Sequence, residues 1–239
     1  MPTDPTTVHR IPRIGRLASG GGARVLLVIA AGSQLGTGGR GAWAESPAAV
    51  ELTLPFEGTW AVVQGFDSTG THHGYAAFAL DFAPPQDVEQ FARLPHPRLQ
   101  DFACWGRAVL APADGRVVRV ATGFPDLRPY ARAPRKNGGG NFVIIQHAPR
   151  LFSELVHLQA RSVRVAVGQQ VRRGEVIGAC GNSGNARTPH LHLGLLTSIS
   201  PITTGRAPLS RYQVRGADGR WAPGDGEPKE GQWVRPESL

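Results

Sequence analysis

From residue 51 onward, apolar residues come in short runs, many alternating with polar ones, and the runs end at Gly, Pro, Asn or Asp. This pattern predicts short β-strands separated by turns, with little sustained helical periodicity. Strands are expected over residues 51–54, 59–63, 78–82, 109–111, 116–120, 141–147, 163–167, 176–177 and 191–195. Within 141–147, Val143, Ile145 and His147 share one face while Phe142, Ile144 and Gln146 share the other. Val163, Val165 and Val167 likewise alternate with polar residues. Pro112-Ala113-Asp114-Gly115 lies between two of the runs, and its Asp-Gly pair predicts a tight hairpin turn. Residues 84–101 and 126–140 read as loops. The polar stretch 216–239 reads as an extension packed on the domain, anchored by Trp221 and Trp233. The fold class is mainly β, an antiparallel sheet or sandwich with long loops.

The most informative strand is Pro189-His190-Leu191-His192-Leu193. Residues two apart on a strand point the same way, so His190 and His192 project together while Leu191, Leu193 and Leu195 face the core. Such a pair sets a metal ligand beside a second reactive nitrogen, although same-face histidines also occur simply solvated. Asp81 sits in the apolar run Ala79-Leu80-Asp81-Phe82, where an uncompensated carboxylate is costly to bury. A cation removes that cost, as do backbone amides capping a strand end. His72, His73, His147 and His157 complete the set of candidates. No His-Glu-x-x-His sequence exists, which excludes the helical zinc-protease arrangement. The Gly run 138–140 is not a phosphate loop, because no Gly-Lys-Ser/Thr follows it.

Composition adds compartment and excludes one partner class. The formal net charge of +8 and pI near 10.6 suggest nucleic acid until position is considered. Residues 1–44 hold five Arg and one Asp, and the remaining excess is spread without a basic block. No nucleic-acid partner is expected. Arg10, Arg13, Arg16 and Arg24 precede the apolar run 25–31, and Ala42-Trp43-Ala44 follows as a cleavage pattern, so 1–44 reads as an export signal. That run is far shorter than the ~20 residues of a membrane span. The mature body then runs over 45–215, followed by the extension at 216–239. Cys104 and Cys180 form a disulfide or stay as two buried thiols, and both readings stand.

The order of motifs resembles the lysostaphin-type, LytM-like zinc metallopeptidases that cleave peptidoglycan peptides. The matching text runs from His72-His73-Gly74 and Phe78-Ala79-Leu80-Asp81-Phe82-Ala83 to Val109-Leu110-Ala111-Pro112-Ala113-Asp114-Gly115. It continues through residues 140–147, Ser153-Glu154-Leu155-Val156-His157-Leu158, Gly181-Asn182-Ser183-Gly184 and Pro189-His190-Leu191-His192. The resemblance implies one zinc per chain held by His72, Asp81 and His192, with adjacent His73 as the alternative first ligand. It implies catalytic roles for His157 and His190. His190 beside the metal acts as general base, and His157 hydrogen-bonds the oxyanion or returns the proton to the leaving amine, the two roles being exchangeable. His147 is expected to be structural. The implied protein is an exported, monomeric endopeptidase of cell-wall peptide stems or crosslinks. The alternative is a noncatalytic cell-wall-binding or amidase-activating module of the same fold. Residues 85–104 stand out as an insertion beside the implied substrate groove.

Overall fold

Why the runs become two sheets follows from where their apolar faces go. The structure, a computed structural model, describes residues 50–237 apart from residues 69, 91–94, 134–137, 208 and 225. The export segment expected at 1–44 lies outside the described residues. In chain order the elements are β1 (Trp60–Gln64), β2 (Ala79–Ala83), α1 (Pro85–Gln90), β3 (Ala108–Leu110), β4 (Gly115–Ala121), β5 (Asn141–Ala148) and β6 (Leu151–Leu158). They continue with β7 (Gln170–Val171), β8 (Val176–Ala179), β9 (Leu191–Ile199), β10 (Ile202–Thr204), β11 (Tyr212–Arg215), β12 (Trp221–Pro223) and β13 (Trp233–Pro236). The fold is mainly antiparallel β, as the alternation predicts. Among the described residues, eleven strands form one sheet in the order β12-β11-β13-β1-β2-β9-β6-β5-β4-β7, with β10 paired to β9. β3 and β8 form a separate two-stranded sheet.

One face of the large sheet is apolar. Leu80 and Phe82 of β2, Leu155 and Leu158 of β6, and Leu191, Leu193 and Leu195 of β9 are all buried there. Val109 of β3 and Ile177 of β8 close the same core from the small sheet. The opposite face of β2, β6 and β9 is left to carry polar groups. Asp81 pairs in register with His192, and His192 pairs with Val156. The strand pattern alone therefore places a carboxylate and an imidazole side by side outside the core.

Three expectations are corrected. The Pro112–Gly115 segment is not a hairpin turn, because β3 pairs β8 whereas β4 pairs β5 and β7. It carries the chain between sheets, pinned where the Asp114 carboxylate accepts from Arg173 N–H at 2.7 Å. Residues 163–167 form no ladder: only Val165 is buried, and Val167 is 63% exposed. Residues 51–54 make only the single bridge Leu52–Leu209 rather than a strand. The stretch from Gly216 does more than rest on the domain. Its strand β13 lies between β11 and β1 as part of the large sheet.

The insertion after β2 is ordered by one buried carboxylate. α1 is a short helix, and its Asp87 accepts from Ala103 N–H at 2.6 Å and Cys104 N–H at 2.8 Å. Those amides satisfy a charge that burial otherwise penalises, and burial pushes the Asp87 carboxyl up. Cys104 is bonded to Cys180 across a sequence separation of 76, with Cα atoms 5.8 Å apart. The bond ties the end of the insertion to the strand leaving β8. Replacing both cysteines by Ser is expected to lower the unfolding free energy by about 2–4 kcal/mol. Urea midpoints of the variant and the oxidised parent check it.

Candidate metal centre and groove

Three of the other four expected site residues, His72, His190 and His192, converge on Asp81, and the fourth, His157, packs against two of them. Asp81 is 7% exposed at the middle of β2, flanked by Leu80 and Phe82 in the core. Its Oδ1 lies 2.8 Å from His192 Nδ1 and 3.2 Å from His72 Nε2, and its Oδ2 lies 3.7 Å from His190 Nε2. Burial alone would push the Asp81 carboxyl up, but the His190 charge and the hydrogen bond and charge of His192 outweigh it and hold it well below the usual range.

His72 reaches the site from the loop after β1. Its Nδ1 lies 2.9 Å from the Gly65 carbonyl, which only accepts, so Nδ1 carries the proton and Nε2 presents a lone pair. That Nε2 is buried without a hydrogen-bond partner, although Asp81 Oδ1 is within 3.2 Å. Distance without hydrogen-bond geometry is what two donors to a shared cation show. Burial lowers the His72 pKa, but the adjacent Asp81 carboxylate more than offsets this and raises it. Neighbouring His73 is exposed, so His72 is the histidine that turns inward. Ligand atoms of His72, Asp81 and His192 all lie within 4.8 Å of one another. Two imidazole nitrogens and a carboxylate oxygen at that spacing fit a divalent ion of zinc type, with room for a fourth ligand.

His157 is placed by a break in its own strand. Val143 pairs Leu155 and Asn141 pairs Leu158, so β6 carries an extra residue there. The bulge turns Val156 and His157 toward the site while Leu155 and Leu158 both stay in the core. His157 takes φ +62°, a left-handed conformation that costs of order 1 kcal/mol or more in a non-Gly residue. Its Nδ1 lies 2.9 Å from the Ser183 carbonyl, which fixes the proton on Nδ1 and leaves Nε2 as an acceptor. The ring centroid is 4.8 Å from that of His190 and 5.9 Å from that of His192. Burial, then the charges of His190 and His192, press the His157 pKa well below the ordinary imidazole value. His190 is oriented the same way, with Nδ1 2.8 Å from the Thr188 carbonyl.

Sequence reasoning did not single out the groups that hold His157. Ser183 Oγ donates to Leu158 O at 2.7 Å and accepts from Asn141 N–H at 2.9 Å. The Asn141 amide group donates to Leu158 O and Phe124 O. Gly140, at φ +61°, passes so close that a Cβ would lie 2.4 Å from the Ser183 carbonyl carbon. The Gly run thus serves close backbone approach. His147 stands outside this group. Its Nδ1 lies 2.8 Å from Asp114 O and its Nε2 2.8 Å from Ser153 Oγ, and burial lowers its pKa.

The five residues open into a groove of about 630 Å³ that also exposes Arg119, Glu154 and Arg187. Glu154 lies one cross-strand row from His192, opposite Gly194, and burial raises its pKa. Val88 of the insertion lines the same groove.

The model of peptidase family M23 matches residues 98–203. That span contains His157, His190 and His192 and begins after His72 and Asp81. The peptidoglycan DD-endopeptidase ShyA of Vibrio cholerae is 34% identical over 102 residues, 43% of this chain and 20% of that protein. The DD-carboxypeptidase/endopeptidase Mpg of Neisseria meningitidis serogroup B is 38% identical over 84 residues, 35% of this chain and 19% of that protein. The chain thus spans about a fifth of the length of these relatives. A crystal structure of a zinc-containing peptidase from Vibrio cholerae superposes with a TM-score of 0.42 at 22% identity, covering 66% of this chain and 40% of that one. Residues 98–203 thus match a peptidase family M23 domain, and over that region the chain is similar to these hydrolases.

Proposed function

We propose that this chain is an exported zinc-dependent endopeptidase that hydrolyses peptide bonds in the stems or crosslinks of peptidoglycan. The single observation that carries the reading is the convergence of His72 Nε2, Asp81 Oδ1 and His192 Nδ1 around one point at the floor of an open groove. Those three residues would hold the metal. When bound, it supplies an acidified water and polarises the peptide carbonyl. The choice of peptidoglycan peptides rests on the names of the relatives ShyA and Mpg. Export rests on the arginine-flanked apolar run before residue 45, and among the described residues no helix is long and apolar enough to cross a membrane.

The remaining side chains divide the proton work. His157 is kept neutral by burial, and its proton sits on Nδ1 against Ser183 O, so its Nε2 lone pair faces the groove as a proton acceptor. His190 has its Nε2 3.7 Å from the Asp81 carboxylate, placed to contact the developing oxyanion or the leaving amine. This reverses the division that strand position alone suggests. Arg119 and Arg187 line the groove with positive charge suited to substrate carboxylates, and Glu154 sits beside them. The noncatalytic alternative is disfavoured because all five positions are filled by groups able to ligate or move protons.

Two outcomes are expected. Asp81→Ala should lose stoichiometric zinc by elemental analysis. His157→Ala should retain zinc and fold yet lose at least about 100-fold in hydrolysis of purified sacculi, the contribution typical of a general base. Equal sacculus hydrolysis by His157→Ala and the parent would overturn the role. In addition, since His157 titrates below ordinary imidazole, its accepting form persists as pH falls through about 6.5. The acid limb of kcat/KM should lie below that value, and a limb at or above it contradicts the assignment.

A further inference from the structure

A second concavity, of about 440 Å³, lies on the side of the sheet edge formed by the C-terminal strands. Trp221 and Trp233 form one wall, Arg107 and Arg215 reach into it, and Pro85 and Gln86 of α1 close the other side. Apart from Arg107, every residue lining it falls outside residues 98–203. The insertion and the C-terminal strands, the two additions to the matched domain, therefore build this cleft together. α1 also joins it to the catalytic groove: its first residues line the cleft, and Val88, a turn later, lines the groove.

The chemistry of the lining is narrow. Both indoles are half-buried and braced by guanidinium groups, Arg215 at 5.0 Å from the Trp233 ring and Arg235 at 4.3 Å from the Trp221 ring. Arg235 does not line the cleft, which leaves the Trp221 indole as its wall. No carboxylate lines it among the described residues. Buried Asp87 is near Arg107, but its oxygens accept from Ala103 and Cys104 N–H rather than from the guanidinium. Arg215 spends one donor on Gly219 O at 3.3 Å. Flat aromatic surface with spare guanidinium donors suits a ligand with an apolar ring face and a carboxylate. Two cations in a pocket this size do not track a phosphate chain, which needs a continuous basic stripe.

We propose that this cleft binds an anionic glycan, one whose pyranose ring packs on the Trp221 and Trp233 wall while a carboxylate pairs with Arg107 and Arg215. The choice of glycan rests on the peptidoglycan reading above. The cleft holds a muramoyl residue of the strand that has lost its own peptide, while the adjoining groove takes a peptide borne elsewhere on the same strand, so two weak contacts act as one.

Binding is measured calorimetrically on the full chain with glycan strands stripped of stem peptides by an amidase, which leaves each lactyl group as a free carboxylate. Such strands contain no peptide bond, so the readout is independent of hydrolysis. The strands should bind, and chitin oligosaccharides, lacking the carboxylate, should bind roughly tenfold more weakly or not at all. Arg107→Gln/Arg215→Gln should weaken strand binding roughly tenfold, while cleavage of a small soluble crosslinked peptide is unchanged. Trp221→Ala should weaken it similarly, and the exposed arginine variant covers the case in which Trp221→Ala fails to fold. Equal affinity for strands and chitin, an unchanged double variant, or equally tight binding of single-stranded DNA lost in the same variant would each overturn the proposal. Loss of peptide cleavage with strand binding intact would instead sink the hydrolase reading alone.

Discussion

Asp81 occupies the centre of a buried strand, where an ionised carboxylate without partners costs several kcal/mol even after the surroundings relax. Its neighbours Leu80 and Phe82 are fixed in the core, so Asp81 has no route to solvent by rotating the strand. Counter-charge must come to it. It comes from β9 through His192 and His190, and from the loop after β1 through His72. Much of the remaining architecture can be understood as bringing those three segments together: β2 lies between β1 and β9, and the register sets Asp81 opposite His192. A buried polar cluster assembled in this way remains incomplete, since His72 Nε2 has no hydrogen-bond partner. The same incompleteness that makes the cluster costly is what gives it capacity for a cation.

Around this centre the chain keeps groove-facing groups and packing groups apart by strand parity, and a register shift in β6 breaks that parity at His157. From His190, just before β9, to Leu195 the rule holds, with imidazoles outward and leucines inward. On β6 the bulge suspends it, so that His157 can face the groove without expelling Leu158 from the core. The left-handed backbone at His157 persists because Ser183, Asn141 and the close-passing Gly140 hold both sides of it. Rigidity of that kind is suited to a general base, which must keep its lone pair aimed while substrate enters and leaves.

How much of this was legible in the sequence depended on how local the information was. The alternation in 141–147 and 191–195 correctly assigned both faces of β5 and β9, because side-chain period 2 is intrinsic to a strand. His190 and His192 followed from it. His157 did not, since simple alternation from Leu155 would have turned it into the core; only resemblance to a family pattern placed it. The Asp114-Gly115 turn misled because turn chemistry reports a change of direction and not which strand is met afterwards. Val163, Val165 and Val167 alternate as a strand does, yet pairing is a long-range property, and the segment meets β8 through Arg164 N–H to Ile177 O without forming a ladder. The roles of Ser183 and Asn141 arise from contacts about 40 residues apart in sequence, which no local pattern encodes. The second cleft was invisible for the same reason, assembled from α1, β11, β12 and β13.

The central claim is that three side chains from separate segments share one divalent ion, and zinc-edge anomalous diffraction from crystals of the full chain tests it most directly. One peak is expected, lying between Nε2 of His72, Oδ1 of Asp81 and Nδ1 of His192, at about 2 Å from each. A zinc-loaded crystal whose peak lies elsewhere, or is bound by His157 or His73 in place of one of these three, would contradict the account.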